Sequence, residues 1–216
     1  MVTEIELKAH VRDSEALRLI LLEKAESLGT FEKEDSYWFG APGLPLSGLR
    51  VRREKSALPD GTVKEAVFAA YKAKEVSDGI EINDEQEFEV SPVQAFEEFL
   101  GKMGLKPGFS KRKRGFAFCK ISGEAQIRAE LVEVSESGGL GNLGWFIELE
   151  ILAGGIQTGN RRAETLAEAK NRLLDFLSCL GIEKEAIESR FYSEMLKENA
   201  NVSQRALRKP ENIGII

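Results

Sequence analysis

The sequence predicts an α+β domain built on an antiparallel sheet large enough to curl or close. Three observations carry that prediction. Stretches in which apolar and charged residues alternate recur along most of the chain, the mark of strands with one buried face. Apolar residues at helical spacing are confined to a few segments. Turn material rich in Gly and Pro, as in APGLPLSG and PDG, falls between alternating stretches. Runs of strands interrupted by a few helices fit an antiparallel sheet rather than alternating parallel units.

The elements follow in order. EIELKAHV (4–11) is a strand with Glu4, Glu6, Lys8 and His10 on one side and Ile5, Leu7, Ala9 and Val11 on the other. Asp13 or Ser14 caps a helix in which Leu17, Ile20, Leu21 and Ala25 recur at helical spacing, with Gly29 as its stop. A short strand follows at DSYWF. GLRVRRE, AVFAAYKAKE and EQEFEV are further strands, the first two separated by the turn PDG. In SPVQAFEEFLGKMG, Ser91 is read as the N-cap, Pro92 as the first helical residue and Gln94 as the partner in a capping box, with Gly104 ending the helix. Strands return at KRKRGFAF, AQIRAELVEV and WFIELEI. From about residue 161 the pattern is helical, through AETLAEAKNRLLDFLSCLG and KEAIESRFYSEMLKEN. The reading is one domain over 1–198 and an unpatterned tail over 199–216.

Composition narrows the function. No apolar tract is long enough to span a bilayer, and the chain opens directly on a strand pattern without a basic then apolar leader. The expected setting is the cytoplasm, away from membranes. Cys119 and Cys179 match no Cys/His metal spacing, and with His10 as the only histidine a zinc site is disfavoured; both cysteines read as small buried hydrophobes. Carboxylates are plentiful, so a bound metal should be an oxygen-preferring ion such as Mg²⁺ or Mn²⁺. The net charge of -6 argues against nucleic acid as a partner. A homodimer is compatible with everything above.

The polar side of the alternation is charged on strand after strand. Arg50, Arg52 and Glu54 share a face, as do Lys72 and Lys74, then Glu85, Glu87 and Glu89. Lys111 and Lys113 pair by the same arithmetic, although Arg112 and Arg114 leave that register open. Arg128 and Glu130, then Glu148 and Glu150, complete the set. A water-facing side normally mixes Thr, Ser, Gln and Lys, whereas this one is concentrated in carboxylates and in Arg or Lys. If the sheet closes with its helices outside, the charged row lines the interior. Such an interior persists only if acids and bases pair, or if a charged ligand and metal ions complete it. The alternative is an open sheet with its charged side in water or against a partner, which would leave Arg52 and Lys72 exposed.

The order of these motifs resembles the CYTH domain family, also called triphosphate tunnel metalloenzymes, which includes class IV adenylyl cyclases and thiamine triphosphatases. Glu4, Glu6 and Lys8 resemble its E-x-E-x-K signature. Asp35, Tyr37 and Phe39 resemble D-x-Y-F, and LRVRRE resembles the L-R-x-R strand at Arg50 and Arg52. YKAK resembles Y-K-G-P at Lys72, SKRKRGF resembles K-x-R-x-x-Y at Lys111 and Lys113, and IRAELV resembles L-D-x-V at Glu130. LGWFIELE matches L-G-x-F-x-E-x-E, supplying Glu148 and Glu150, and FYSEML resembles the S-Y-x-E-L-L helix. The likeness spans residues 4–196, with Lys113 in place of Arg, Glu130 in place of Asp, and Glu85 near a position where the family often carries Arg.

The resemblance implies an eight-stranded antiparallel closed β-barrel, a triphosphate tunnel with helices packed outside. It implies Glu4, Glu6 and Lys8 as catalytic, and Lys8, Arg50, Arg52, Lys72, Lys74, Lys111, Lys113 and Arg128 as substrate-binding. Glu4, Glu6, Glu87, Glu89, Glu130, Glu148 and Glu150 would hold Mg²⁺ or Mn²⁺. The substrate would be ATP, inorganic triphosphate or thiamine triphosphate. Its fate would be cyclisation to cyclic AMP and pyrophosphate, hydrolysis, or, in a non-catalytic binder, no reaction.

Overall fold

The computed structural model describes residues 2–40, 47–77, 79–137, 141–153 and 166–207. The strands are β1 (Val2–Val11), β2 (Glu26–Phe39), β3 (Ser47–Ala57), β4 (Val63–Ser77), β5 (Ile80–Glu89), β6 (Lys106–Ser122), β7 (Ala125–Glu136) and β8 (Asn142–Ala153). They close into one antiparallel barrel in the order β1-β5-β4-β3-β2-β6-β7-β8, with β8 pairing back onto β1. The closed, eight-stranded expectation is met.

The helices are α1 (Ser14–Lys24), α2 (Val93–Lys102), α3 (Leu166–Cys179) and α4 (Tyr192–Leu207). The apolar rows of the strands face outward beneath the first three. Leu17 and Leu21 of α1 and Leu173, Phe176 and Leu177 of α3 bury Ile5, Leu7, Ala129, Leu131, Ile147 and Leu149. Leu100 of α2 packs with Trp38 and Val51. Each Leu, Ile, Val or Phe side chain buried in this way stabilises the fold by about 1.5–3 kcal/mol. The α4 helix behaves differently. Its Tyr192 and Met195 pack with Phe31, Val132, Val134 and Phe146, which by strand alternation lie on the inner, charged side of the sheet.

Several local expectations are corrected. Asp13 caps α1, its carboxylate accepting the Ala16 N–H at 2.9 Å, but the helix stops at Lys24. Gly29 lies inside β2, at a register shift and with φ +99°. A Cβ there would lie 2.0 Å from the Ala57 carbonyl oxygen, so the strands meet only because the residue has no side chain. Gly29→Ala is therefore expected to cost about 2 kcal/mol or more, lowering the thermal midpoint by roughly 4–8 °C in a melting scan.

At α2 the cap is Pro92, in extended conformation and without a side-chain hydrogen bond, so the Ser91–Gln94 capping box does not form. β5 begins at Ile80, five residues before the expected EQEFEV, and the extension brings Glu81 and Asn83 inward. KEAIESRFYSEMLKEN is not one helix: Lys184–Ala186 form a short 3-10 turn, Ile187 bridges to Ala9, and α4 starts at Tyr192. The expected tail from 199 is helical to Leu207, and 208–216 lie outside the described residues. Cys119 is buried as expected, but Cys179 is exposed. Among the described residues no helix is long and apolar enough to cross a membrane.

Candidate active site

Closing the barrel turns the charged rows inward around a cavity of about 870 Å³. Glu4, Glu6, Lys8, Arg50, Arg52, Glu87, Lys111, Lys113, Arg128, Glu130, Glu148 and Glu150 all line it. Glu89 does not: it is exposed near the start of α2. Lys72 and Lys74 lie in β4 in register with Glu85 and Asn83, and their side chains are outside the described residues. Lys111 and Lys113 point in, whereas Arg112 and Arg114 point out and pair with Glu32 and Glu133. Arg52 is enclosed, its side chain 13% exposed, which separates this tunnel from an open sheet.

Strand order segregates the charge. β8, β1 and β5 are neighbours and carry Glu148, Glu150, Glu4, Glu6 and Glu81; β3, β2 and β6 are neighbours and carry Arg50, Arg52, Lys33, Lys111 and Lys113. An acidic wall therefore faces a basic one. Each wall also holds charges of the opposite sign: Lys8 on the acidic side, bound by Glu81 at 2.6 Å, and Asp35 and Glu54 on the basic side. Between the walls, β7 carries Arg128 and Glu130, with Glu130 bound by Lys33 at 2.6 Å and by Arg128 at 2.9 Å.

Other pairs bridge the lumen or brace the basic wall. Lys113 forks onto Glu148 at 2.7 and 2.8 Å. Arg52 forks onto the fully buried Asp35 at 2.7 and 3.0 Å, with Lys111 3.6 Å from the same carboxylate. Arg50 donates to Glu85 at 2.7 Å and Glu87 at 2.9 Å, so the position where the resemblance expects a phosphate-binding Arg instead holds a carboxylate bound to one.

These contacts set the protonation states. Burial raises the pKa of Asp35, but Arg52 and Lys111 outweigh it and hold the carboxyl well below its usual range. Burial likewise opposes the charge on Lys113, yet Glu148 and Glu6 raise its pKa. For Lys111 the compensation is incomplete. Burial and then the neighbouring Lys113 pull its pKa down to about 7, with Asp35 only partly restoring it.

Sequence reasoning missed Lys33, Glu81, Asn83 and Tyr192. Lys33 was hidden because the strand was read as starting later, at DSYWF. The signal was present in FEKED, where Lys33 and Asp35 continue the period of two inward from Tyr37. The FYSEML motif marked the segment that holds Tyr192, but only the fold places this ring within 5.2 Å of the Lys111 and Lys113 ammonium groups and 5.5 Å of that of Lys8.

Two features bear on what the site can hold. The Nε of Arg50 and both amide atoms of Asn83 are buried without a hydrogen bond, donors and acceptors of a kind that a polar ligand or water satisfies. Among the described residues no three acidic, His or Cys side chains are gathered as a metal cage. The donor chemistry nonetheless fits an oxygen-preferring divalent ion: Glu6 stands directly opposite Glu150 across the β1–β8 pairing, with Glu4 and Glu148 on the same inner face.

Solved structures share this architecture. A protein of Pyrococcus horikoshii OT3 is 25% identical, with a TM-score of 0.65 over 90% of this chain and 98% of that one. A candidate adenylate cyclase of Vibrio parahaemolyticus is 19% identical, with a TM-score of 0.62 over 90% of this chain and 97% of that one. A candidate adenylyl cyclase of Hippeastrum, described as having a dominant triphosphatase activity, is 16% identical, with a TM-score of 0.58 over 92% of this chain and 96% of that one. No protein-family model matches the chain, and no curated protein does. The chain has the closed-barrel fold of the CYTH, or triphosphate tunnel, family that its strand motifs resemble.

Proposed function

We propose that the tunnel binds a triphosphate-bearing small molecule and cleaves its phosphate chain with the help of Mg²⁺ or Mn²⁺. The observation that carries this reading is the basic wall facing an acidic one inside a closed barrel. Phosphate oxygens suit Arg50, Arg52, Lys111 and Lys113, the arginines through forked hydrogen bonds and the lysines as point charges. Lys8 and Arg128, with Lys72 and Lys74 of β4, extend this set. Carboxylates cannot touch phosphate without repulsion, so Glu4, Glu6, Glu148 and Glu150 would hold the divalent ion, with Glu87 and Glu130 beside them. When bound, the ion supplies Lewis-acid charge and lowers the pKa of the attacking hydroxyl or water.

The protein's own cations do the rest. They orient the phosphate chain and neutralise charge on the departing phosphate, the main route to catalysis in phosphoryl transfer. For the phosphates to reach Lys113, that side chain exchanges its bond to Glu148 for the ligand, which frees Glu148 for a metal ion. In such a complex Lys113 would bind phosphate and Glu148 would be among the residues holding the ion.

Two reactions suit the same cage. Attack by the ribose 3′-hydroxyl of ATP on the α-phosphate gives cyclic AMP and pyrophosphate, the class IV cyclase-like reading. Attack by water gives hydrolysis, the reading favoured by the activity described for the Hippeastrum structure. The test offers purified protein ATP, inorganic triphosphate and thiamine triphosphate with Mg²⁺ or Mn²⁺, beside a Glu6→Ala control. Cyclic AMP lost in the control supports cyclisation, and orthophosphate lost in the control supports hydrolysis. Tight binding without turnover would make the tunnel a binding module.

Lys111 gives the site a pH dependence. With its pKa near 7, it is mostly charged at pH 6 and mostly neutral at pH 8. A bound polyanion favours the charged form, so binding is expected to take up a proton above pH 7 and to weaken as the pH rises from 6 to 8. Calorimetry in buffers of different ionisation enthalpy reads the uptake directly. In Lys111→Met the proton uptake disappears.

A further inference from the structure

The inner face of the barrel is not uniformly charged. Tyr37 and Phe39 of β2 and Phe109 of β6 all line the cavity, and none of them belongs to the apolar clusters that hold the helices. The Tyr37 and Phe109 rings stand 5.8 Å apart at 34°. Phe39 is 42% exposed, an unusual placement for a phenylalanine on the lumen side of a charged barrel. Its ring rests against the β6 backbone at Gly108, where a Cβ would lie only 2.7 Å from it, so the aromatic wall depends on that missing side chain.

These rings adjoin the phosphate-binding cations. The Lys111 ammonium lies 5.6 Å from the centre of the Tyr37 ring, close enough for one ligand to touch both. The cavity is also of the size that encloses a nucleotide-sized ligand, at about 870 Å³. A bare triphosphate would leave the aromatic wall facing water.

We propose that Tyr37, Phe39 and Phe109 form a subsite for the planar ring of an organic triphosphate, so that the substrate is ring-bearing and not inorganic triphosphate. This rests on the triphosphate reading above. It adds which part of the ligand each end of the aromatic and cationic wall receives: the ring lies at Phe39 and Phe109, and the phosphate chain runs from Lys111 inward. Stacking on aromatic side chains is tolerant of ring identity, so the subsite accepts adenine and the thiamine rings alike on physical grounds.

The test compares dissociation constants for inorganic triphosphate, ATP and thiamine triphosphate in the full chain, in Phe39→Ala and in Phe109→Ala. Each variant is expected to weaken binding of at least one ring-bearing ligand by about tenfold while leaving inorganic triphosphate within about twofold of its wild-type value. Retained binding of inorganic triphosphate also reports that the barrel is folded, and Phe39→Leu, which keeps apolar bulk without a ring, should fall between. Parallel weakening of all three ligands, or no weakening of either ring-bearing one, overturns the subsite. If none of the three binds the wild-type chain, the triphosphate reading itself falls and the subsite with it.

Discussion

Replacing Asp35 with Ala is expected to cost about 3–5 kcal/mol of stability. Asp35 is fully buried, receives both forked hydrogen bonds of Arg52, and has Lys111 at 3.6 Å. Without it the largely enclosed Arg52 guanidinium and Lys111 ammonium lose the counter-charge they share. In a chain of this size each kcal/mol shifts the melting midpoint by about 2–4 °C, so the midpoint should fall by roughly 10 °C. Scanning calorimetry measures it. Inorganic triphosphate should restore more stability to Asp35→Ala than to the wild type, because it pairs the stranded cations and stabilises by mass action. A midpoint within about 2 °C of wild type would show that Arg52 escapes to water and that the tunnel is not closed around it.

The second large effect concerns turnover. Glu148→Gln keeps the shape of the side chain and one acceptor for Lys113 but removes the negative charge that a divalent ion requires. Turnover of whichever triphosphate is the substrate should drop by about 100-fold or more. Binding of triphosphate without metal should hold or tighten, since Lys113 no longer forks onto a full carboxylate. Steady-state rates beside metal-free calorimetry separate the two. Loss of binding and turnover together would identify Glu148 as a structural partner of Lys113 and not a metal-binding group.

The candidate site was largely legible as residue types, because a strand records its two faces every second residue. Glu4, Glu6 and Lys8, or Glu148 and Glu150, can be assigned to one face from the local sequence alone. Legibility failed where an element's ends were misjudged. Reading β2 from Asp35 hid Lys33, and reading β5 from Glu85 hid Glu81 and Asn83, although all three follow the same alternation. Helix ends failed for a related reason. Gly29 and the Ser91–Pro92 pair carry the residue types of a stop and a cap, but sheet pairing claimed the first and the cap fell on Pro92.

The sequence by itself determined the class of fold and the charged face of most strands, since these depend on period and chemistry within one segment. Only the tertiary structure decided that β8, β1 and β5 stand together as an acidic wall opposite the basic β3, β2 and β6. It alone also decided that Glu85 answers Arg50, that Asp35 answers Arg52, and that Tyr192 reaches in from a distant helix to the lysines. The physical reason is that charge pairing and ring contact depend on distances across the barrel, which are set by strand order and register and not by any stretch of neighbouring residues.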